Sequence, residues 1–189
     1  MIKNKSKGMR AFSHSLDRKN IYLTGFMGAG KTTTGKLLAA NLKRKFLDTD
    51  QLVEKKMNLS ITQIFKDHGE AFFRDLESEV LESLSDHQPG NLVIATGGGV
   101  VLRKNNRFLL KQNGLVIFLK AAPEELYHRI KSENLRPLLA GPDPAQSIME
   151  MLAQREDFYR DCHLEIDTTA KVPETVVSEI LFKLHNLDA

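Results

Sequence analysis

The sequence predicts an α/β fold of three layers, a parallel five-stranded sheet with helices on both faces. Two observations carry this. Short apolar runs near residues 21–24, 45–48, 91–95, 115–119 and 164–166 alternate with longer helical stretches. A glycine-rich loop also separates the first run from the first helix. In such sheets ligands bind beyond the carboxyl ends of the strands.

Each element has a local reason. Ile21-Tyr22-Leu23-Thr24 is a short buried strand. Residues 33–44 form a helix with Leu37, Leu38 and Leu42 on one face. Lys45-Phe46-Leu47-Asp48 is a strand ending at a carboxylate. The run 51–56 is helical, with Asp50 placed to cap it. Residues 60–68 begin another helix with Ser60 as N-cap; Gly69 breaks it, and 70–84 form a second helix. Asn91 to Ala95 is a buried strand running into Gly97-Gly98-Gly99. A helix is expected over 100–112, a strand over 115–119, and a helix opened by Pro123 that runs to about 131. Residues 132–144, with three prolines and a glycine, interrupt the pattern as a mobile lid loop. A helix over 146–160, a strand over 164–166 and a helix over 173–187 complete the chain.

The most specific chemistry lies in Gly25 to Thr32, G-F-M-G-A-G-K-T. Strand, glycine loop and helix N-terminus together cradle a phosphate in backbone N–H groups at the positive end of a helix dipole. Lys31 then reaches the β- and γ-phosphates, and the Thr32 hydroxyl binds Mg²⁺. The chain therefore holds a nucleotide.

Other candidates surround that loop. If the backbone stays extended past the second strand, Asp48 and Asp50 point to the same face. One carboxylate can then support Mg²⁺ through water and the other can bind an acceptor hydroxyl. The competing reading makes Asp50 a helix cap. Arg74 and Glu77, three apart on a helix, can pair, and alone they read as a surface ion pair. Gly97, Gly98 and Gly99 remove every Cβ just after a buried strand, which suits close approach of a ligand to the backbone. Arg136 in the loop and Arg155 on the following helix are candidates to meet a transferring phosphoryl group or an anionic substrate.

Composition narrows the classes. The chain has 189 residues, which suits one domain, here 20–189 preceded by a basic leader over 1–19 expected to be disordered. That leader carries six basic residues and one acid, a net +5 where the whole chain is +3, so the remainder is near −2. A nucleic-acid-binding body would be basic, so nucleic acid is not expected as a partner. No apolar stretch suits a signal peptide or a membrane span. The single Cys162 suits a reducing, cytoplasmic setting, and beside His163 it makes no metal set.

Taken together, the motifs resemble those of shikimate kinase, within the P-loop kinases related to nucleoside monophosphate kinases. The series runs G-F-M-G-A-G-K-T, D-T-D, G-E-x-x-F-R-x-x-E, T-G-G-G, R-P-L-L, then an Arg and a Tyr, then D-T-x-x-x-x-P, over residues 20–185. The resemblance implies transfer of the ATP γ-phosphoryl to the 3-hydroxyl of shikimate. It implies a P-loop kinase fold, Mg²⁺ as cofactor and a monomer. It assigns Gly28, Ala29, Gly30, Lys31, Thr32 and Thr33 to the phosphates, and Arg129, Lys171 and Pro173 to the adenine side. Thr32 and, through water, Asp48 go to the metal, and Arg136 is the lid arginine. Asp50, Arg74, Gly97, Gly98, Gly99 and Arg155 go to shikimate, with Glu77 holding Arg74. Lys31, Asp50 and Arg136 are the catalytic set. The chain departs from the family in lacking a proline between Arg155 and Tyr159, and in carrying Lys171 where an arginine is usual. Rival readings are a kinase for gluconate or a nucleoside monophosphate, and a guanine-nucleotide switch. The switch lacks its N-K-x-D or T-K-x-D base-reading motif here.

Overall fold

The computed structural model describes residues 19–85, 90–131 and 143–187. In chain order the elements are β1 (Asn20–Thr24), α1 (Lys31–Leu42), β2 (Lys45–Asp48), α2 (Thr49–Met57), α3 (Ile61–Ser85) and β3 (Leu92–Ala95). A 3-10 turn (Val100–Leu102), α4 (Lys104–Asn113), β4 (Gly114–Lys120), α5 (Pro123–Lys131), α6 (Pro144–Arg160), β5 (Leu164–Asp167) and α7 (Pro173–Leu187) follow. The basic leader up to residue 18, and the loop expected over 132–144 except for its last two residues, lie outside the described residues.

The five strands form one parallel sheet in the order β2-β3-β1-β4-β5. Tyr22 at the centre pairs with Ile94 on one side and Val116 on the other. The central strands are apolar along nearly their whole length and buried, as expected of a parallel sheet covered on both faces. The β1-to-β2 connection runs the opposite way across the sheet from the later ones. Right-handed crossovers therefore put α1 on one face and α3 and α4 on the other. α7 packs on α1. The chain leaving β1 and the chain leaving β3 thus part to opposite faces, and a crevice opens between their carboxyl ends.

Local expectations differ from the structure in three places, and at Gly69 they agree. α1 starts at Lys31, two residues before the expected position, because Gly30 at φ 88 turns the chain directly into the helix. Gly69 (φ 80, ψ 174) makes a kink between two helical halves of α3, as a breaker should. The expected helix over 100–112 divides into the 3-10 turn and α4, with Arg103 in extended conformation between them. The backbone does not stay extended after β2. Asp48 is itself the N-cap of α2, its Oδ1 accepting from Asp50 N at 3.0 Å, and Asp50 lies in the first turn. The cap is therefore Asp48 and not Asp50.

Candidate active site

The loop between β1 and α1 is built on three left-handed glycines, Gly25, Gly28 and Gly30. Ala29 N donates to Phe26 O at 3.2 Å, and Thr34 N to Gly30 O at 2.9 Å. The Lys31 ammonium donates to Gly25 O and Phe26 O, both at 2.8 Å, so it lies back over the loop it closes. The Thr32 hydroxyl donates to Asp48 Oδ2 at 2.8 Å, joining α1 to the end of β2. A hard-cation site needs oxygen donors of this kind, and these two residues supply them.

Every described residue expected on the nucleotide side lines one open hollow: Gly28 to Thr33, Asp48, Arg129, Lys171 and Pro173. Arg129 ties the glycine loop to the end of β5, donating to Gly28 O at 3.3 Å and Thr168 O at 2.9 Å. Glu125 accepts from its Nε at 2.9 Å. Lys171 is paired with Glu179 at 2.7 Å. Arg136 lies outside the described residues.

A second, smaller hollow adjoins the first. Its polar wall holds Asp50, Arg74, Glu77, Gly97, Gly98, Gly99 and Arg155, and its apolar wall Met27, Ile61, Phe65 and Phe73. Arg74 and Glu77 pair, as their spacing allows, but not at the surface: they are 8% and 2% exposed. The helix half after Gly69 turns this pair inward, which its spacing alone does not reveal. Glu70, to which the sequence attached no role, accepts from Arg74 Nη2 at 2.8 Å and Nε at 3.2 Å. Burial pushes the Glu77 carboxyl up to about 7; Arg74 pulls it down and Asp50 pushes it further up. Its Oε1 has no hydrogen-bond partner among the described residues.

The three glycines do separate work. A Cβ on Gly97 would fall 2.2 Å from Glu77 Oε1, and one on Gly99 would fall 2.1 Å from Arg74 Nη1. A Cβ on Gly98 would lie 3.3 Å from Met27 N. The turn after β3 thus lies against the glycine loop on one side and the charged side chains on the other. Gly97 N donates to the buried Thr49 hydroxyl at 2.9 Å, which holds the turn to the start of α2. The small polar residue between Asp48 and Asp50 was the only sequence sign of that bond. Met27, Asp50, Ile61 and Gly98 line both hollows and form their common wall.

α6 runs unbroken from Pro144 to Arg160, with Asp143 Oδ1 accepting from Gln146 N at 3.0 Å. The missing proline therefore leaves a regular helix. It carries Arg155, 8% exposed, into the second hollow, with the guanidinium carbon 5.9 Å from the Phe26 ring centre. One turn later the buried Tyr159 donates to Gly98 O. Away from this site, His163 Nδ1 accepts from Val116 N at 3.0 Å, a structural bond along the sheet. Among the described residues no group of three or more His, Cys, Asp or Glu is placed to hold a metal ion.

The shikimate kinase family model matches residues 27–185. A shikimate kinase of Caldanaerobacter subterraneus subsp. tengcongensis is 48% identical over 163 residues, covering 86% of this chain and 94% of its own. The solved shikimate kinase of Acinetobacter baumannii, in complex with shikimate, superposes with a TM-score of 0.85 at 39% identity. It covers 91% of this chain and 97% of its own. A gluconokinase from Sinorhizobium meliloti reaches a TM-score of 0.56 at 14% identity over 91% of this chain and 94% of its own, a likeness of fold alone. With a family model spanning most of its length and relatives matched nearly end to end, this chain belongs to the shikimate kinase family.

Proposed function

We propose that the protein is an ATP-dependent shikimate kinase, giving shikimate 3-phosphate and ADP from the 3-hydroxyl of shikimate. The observation that carries the reading is the common wall. A phosphate-cradling hollow and a hollow with a carboxylate and two arginines meet at Met27, Asp50, Ile61 and Gly98. A phosphoryl group held in the first hollow can meet an acceptor in the second across that wall.

The acceptor hollow suits a small carboxylated polyol. Arg74 and Arg155 offer planar donor forks to the carboxylate. Asp50 takes the hydroxyls and orients the one that attacks. Phosphoryl transfer is loose, so its main task is positioning, and it accepts the proton late. Gly28 to Thr33 bind the phosphates with backbone N–H groups, and Lys31 swings from the loop carbonyls to the β- and γ-oxygens. Thr32 and, through water, Asp48 would hold Mg²⁺. When bound, that ion neutralises phosphate charge. Arg129, Lys171 and Pro173 flank the adenine, and Lys171 covers a purine less fully than an arginine would. Arg136 covers the phosphoryl group from the loop. Residues 20–189 act as one kinase domain, a cytoplasmic monomer. Among the described residues no helix is long and apolar enough to cross a membrane.

The test is ADP release from ATP with shikimate, gluconate or a nucleoside monophosphate as acceptor. Shikimate alone should support turnover, and release with gluconate instead would overturn the reading. Asp50→Asn should lose most of kcat with the KM for ATP nearly unchanged.

A further inference from the structure

We infer that Tyr159 is a positioning residue for the acceptor, acting through the Gly98 carbonyl; the inference rests on the kinase reading above. Tyr159 is 1% exposed, and its hydroxyl donates to Gly98 O across 61 residues of sequence. Its ring stacks on Phe118 of β4, centroids 5.1 Å apart and planes 9° from parallel. The phenol is thus fixed at both ends. Burial pushes its ionisation up to about 12, so it remains a donor at any working pH.

What it holds is the hinge of the site. Gly98 carries no side chain to pack, and glycine is the residue with the most backbone freedom. Its Cα lies close under the glycine loop, where an added Cβ would meet Met27 N at 3.3 Å and Gly25 O at 3.6 Å. Gly98 lines both hollows. Fixing its carbonyl fixes the peptide plane between Gly98 and Gly99, and with it the direction of the Gly99 N–H. The neighbouring peptides set the clearance for Glu77 and Arg74. Tyr159 also follows Arg155 by one helical turn, so the carboxylate-binding arginine and the anchor of the glycine turn share one rigid helix. Seating of the acceptor is thereby registered to the donor loop.

The step is testable because Tyr159→Phe keeps the ring and the stack and removes only the hydroxyl. The hydroxyl bonds the Gly98 carbonyl and also meets the Arg155 guanidinium one turn back, so its loss should raise the KM for shikimate at least about fivefold. The KM for ATP should stay within about twofold, and Tm should fall by a few degrees for a loss of that size. An unchanged shikimate KM overturns the inference, as does an equal rise in both KM values or a variant that fails to fold. Phe118→Leu is the packing control, since it loosens the ring and leaves the hydroxyl. It should lower Tm with a near-normal shikimate KM, and a rise equal to that of Tyr159→Phe would assign the effect to packing and overturn the inference. If the unaltered enzyme does not turn over shikimate, the kinase reading itself falls. If it does and Tyr159→Phe matches it, only the positioning role falls.

Discussion

Asp50 Oδ1 and Glu77 Oε1 converge on Gly97, where an added Cβ would lie 2.7 Å from the first and 2.2 Å from the second. Both are far ends of side chains, which can yield. The backbone at Gly97 has no left-handed φ that would bar alanine. Gly97→Ala should therefore cost little stability but displace the two carboxylates that face the acceptor. We expect a rise in shikimate KM of at least about tenfold, about 1.4 kcal/mol, with ATP binding retained and Tm within a few degrees. Steady-state kinetics beside a melting curve checks it; a normal shikimate KM would show that the carboxylates need no fixed place.

Glu77 gives the site a pH dependence. Its carboxyl is raised to about 7 because burial outweighs the pull of Arg74, so in the folded chain it binds its proton more tightly than when unfolded. The stability it contributes is fully present below its ordinary range near 4.5 and is lost as pH rises through about 7. Arg74 behaves oppositely: burial disfavours its charge, but Glu77 and Glu70 together raise its pKa, so it stays cationic. In Glu77→Gln the titration is gone. The difference in Tm, unaltered protein minus variant, should decline between pH 5 and pH 8, and a rise over that window would reverse the assignment.

The sheet and the glycine loop were legible because their signals are local. A strand covered on both faces must be apolar along its length, and a phosphate cradle must place glycines at set spacings. The acceptor side was less so. Arg74 and Glu77 have the spacing of any helical ion pair, and only the packing of α3 over the turn after β3 takes them out of water. Asp48 and Asp50 suit either an extended strand end or a cap. The choice was made by Asp48 accepting from Asp50 N, which starts α2 at once and still leaves both carboxylates facing the hollows. The bond from Tyr159 to Gly98 joins distant segments and leaves no mark in local pattern.

Asp48 holds two posts, accepting from the Thr32 hydroxyl through Oδ2 and from Asp50 N through Oδ1. Asp48→Asn keeps a capping oxygen and removes the charge. The fold should persist, and the Mg²⁺ concentration for half-maximal activity should rise severalfold. Asp48→Ala should in addition lose about 1 kcal/mol of stability with the cap. Activity titrated against Mg²⁺, with thermal melts in parallel, separates the two posts. An unchanged Mg²⁺ requirement in the Asn variant would leave Asp48 with the cap alone.

Arg155 reaches the acceptor hollow from a different element than Arg74, so the two arginines can be tested apart. Arg74 is already engaged by Glu77 and Glu70, and removing it would strand a buried carboxyl as well as a substrate contact. Arg155 leaves a cleaner experiment: its guanidinium lies near Phe26 and the Tyr159 hydroxyl, with no carboxylate among the described residues to strand, on an unbroken helix. Arg155→Ala should raise the shikimate KM by about 10- to 100-fold, the size of a lost charge-assisted hydrogen bond, with a smaller change in kcat. Arg155→Lys keeps the charge and loses the fork, so it should fall between. An acceptor analogue with a carboxamide in place of the carboxylate gives the decisive comparison. If Arg155 binds the carboxylate, the unaltered enzyme should take the analogue poorly and Arg155→Ala should hardly discriminate between the two acceptors. Full discrimination in the variant would assign the carboxylate to Arg74 alone.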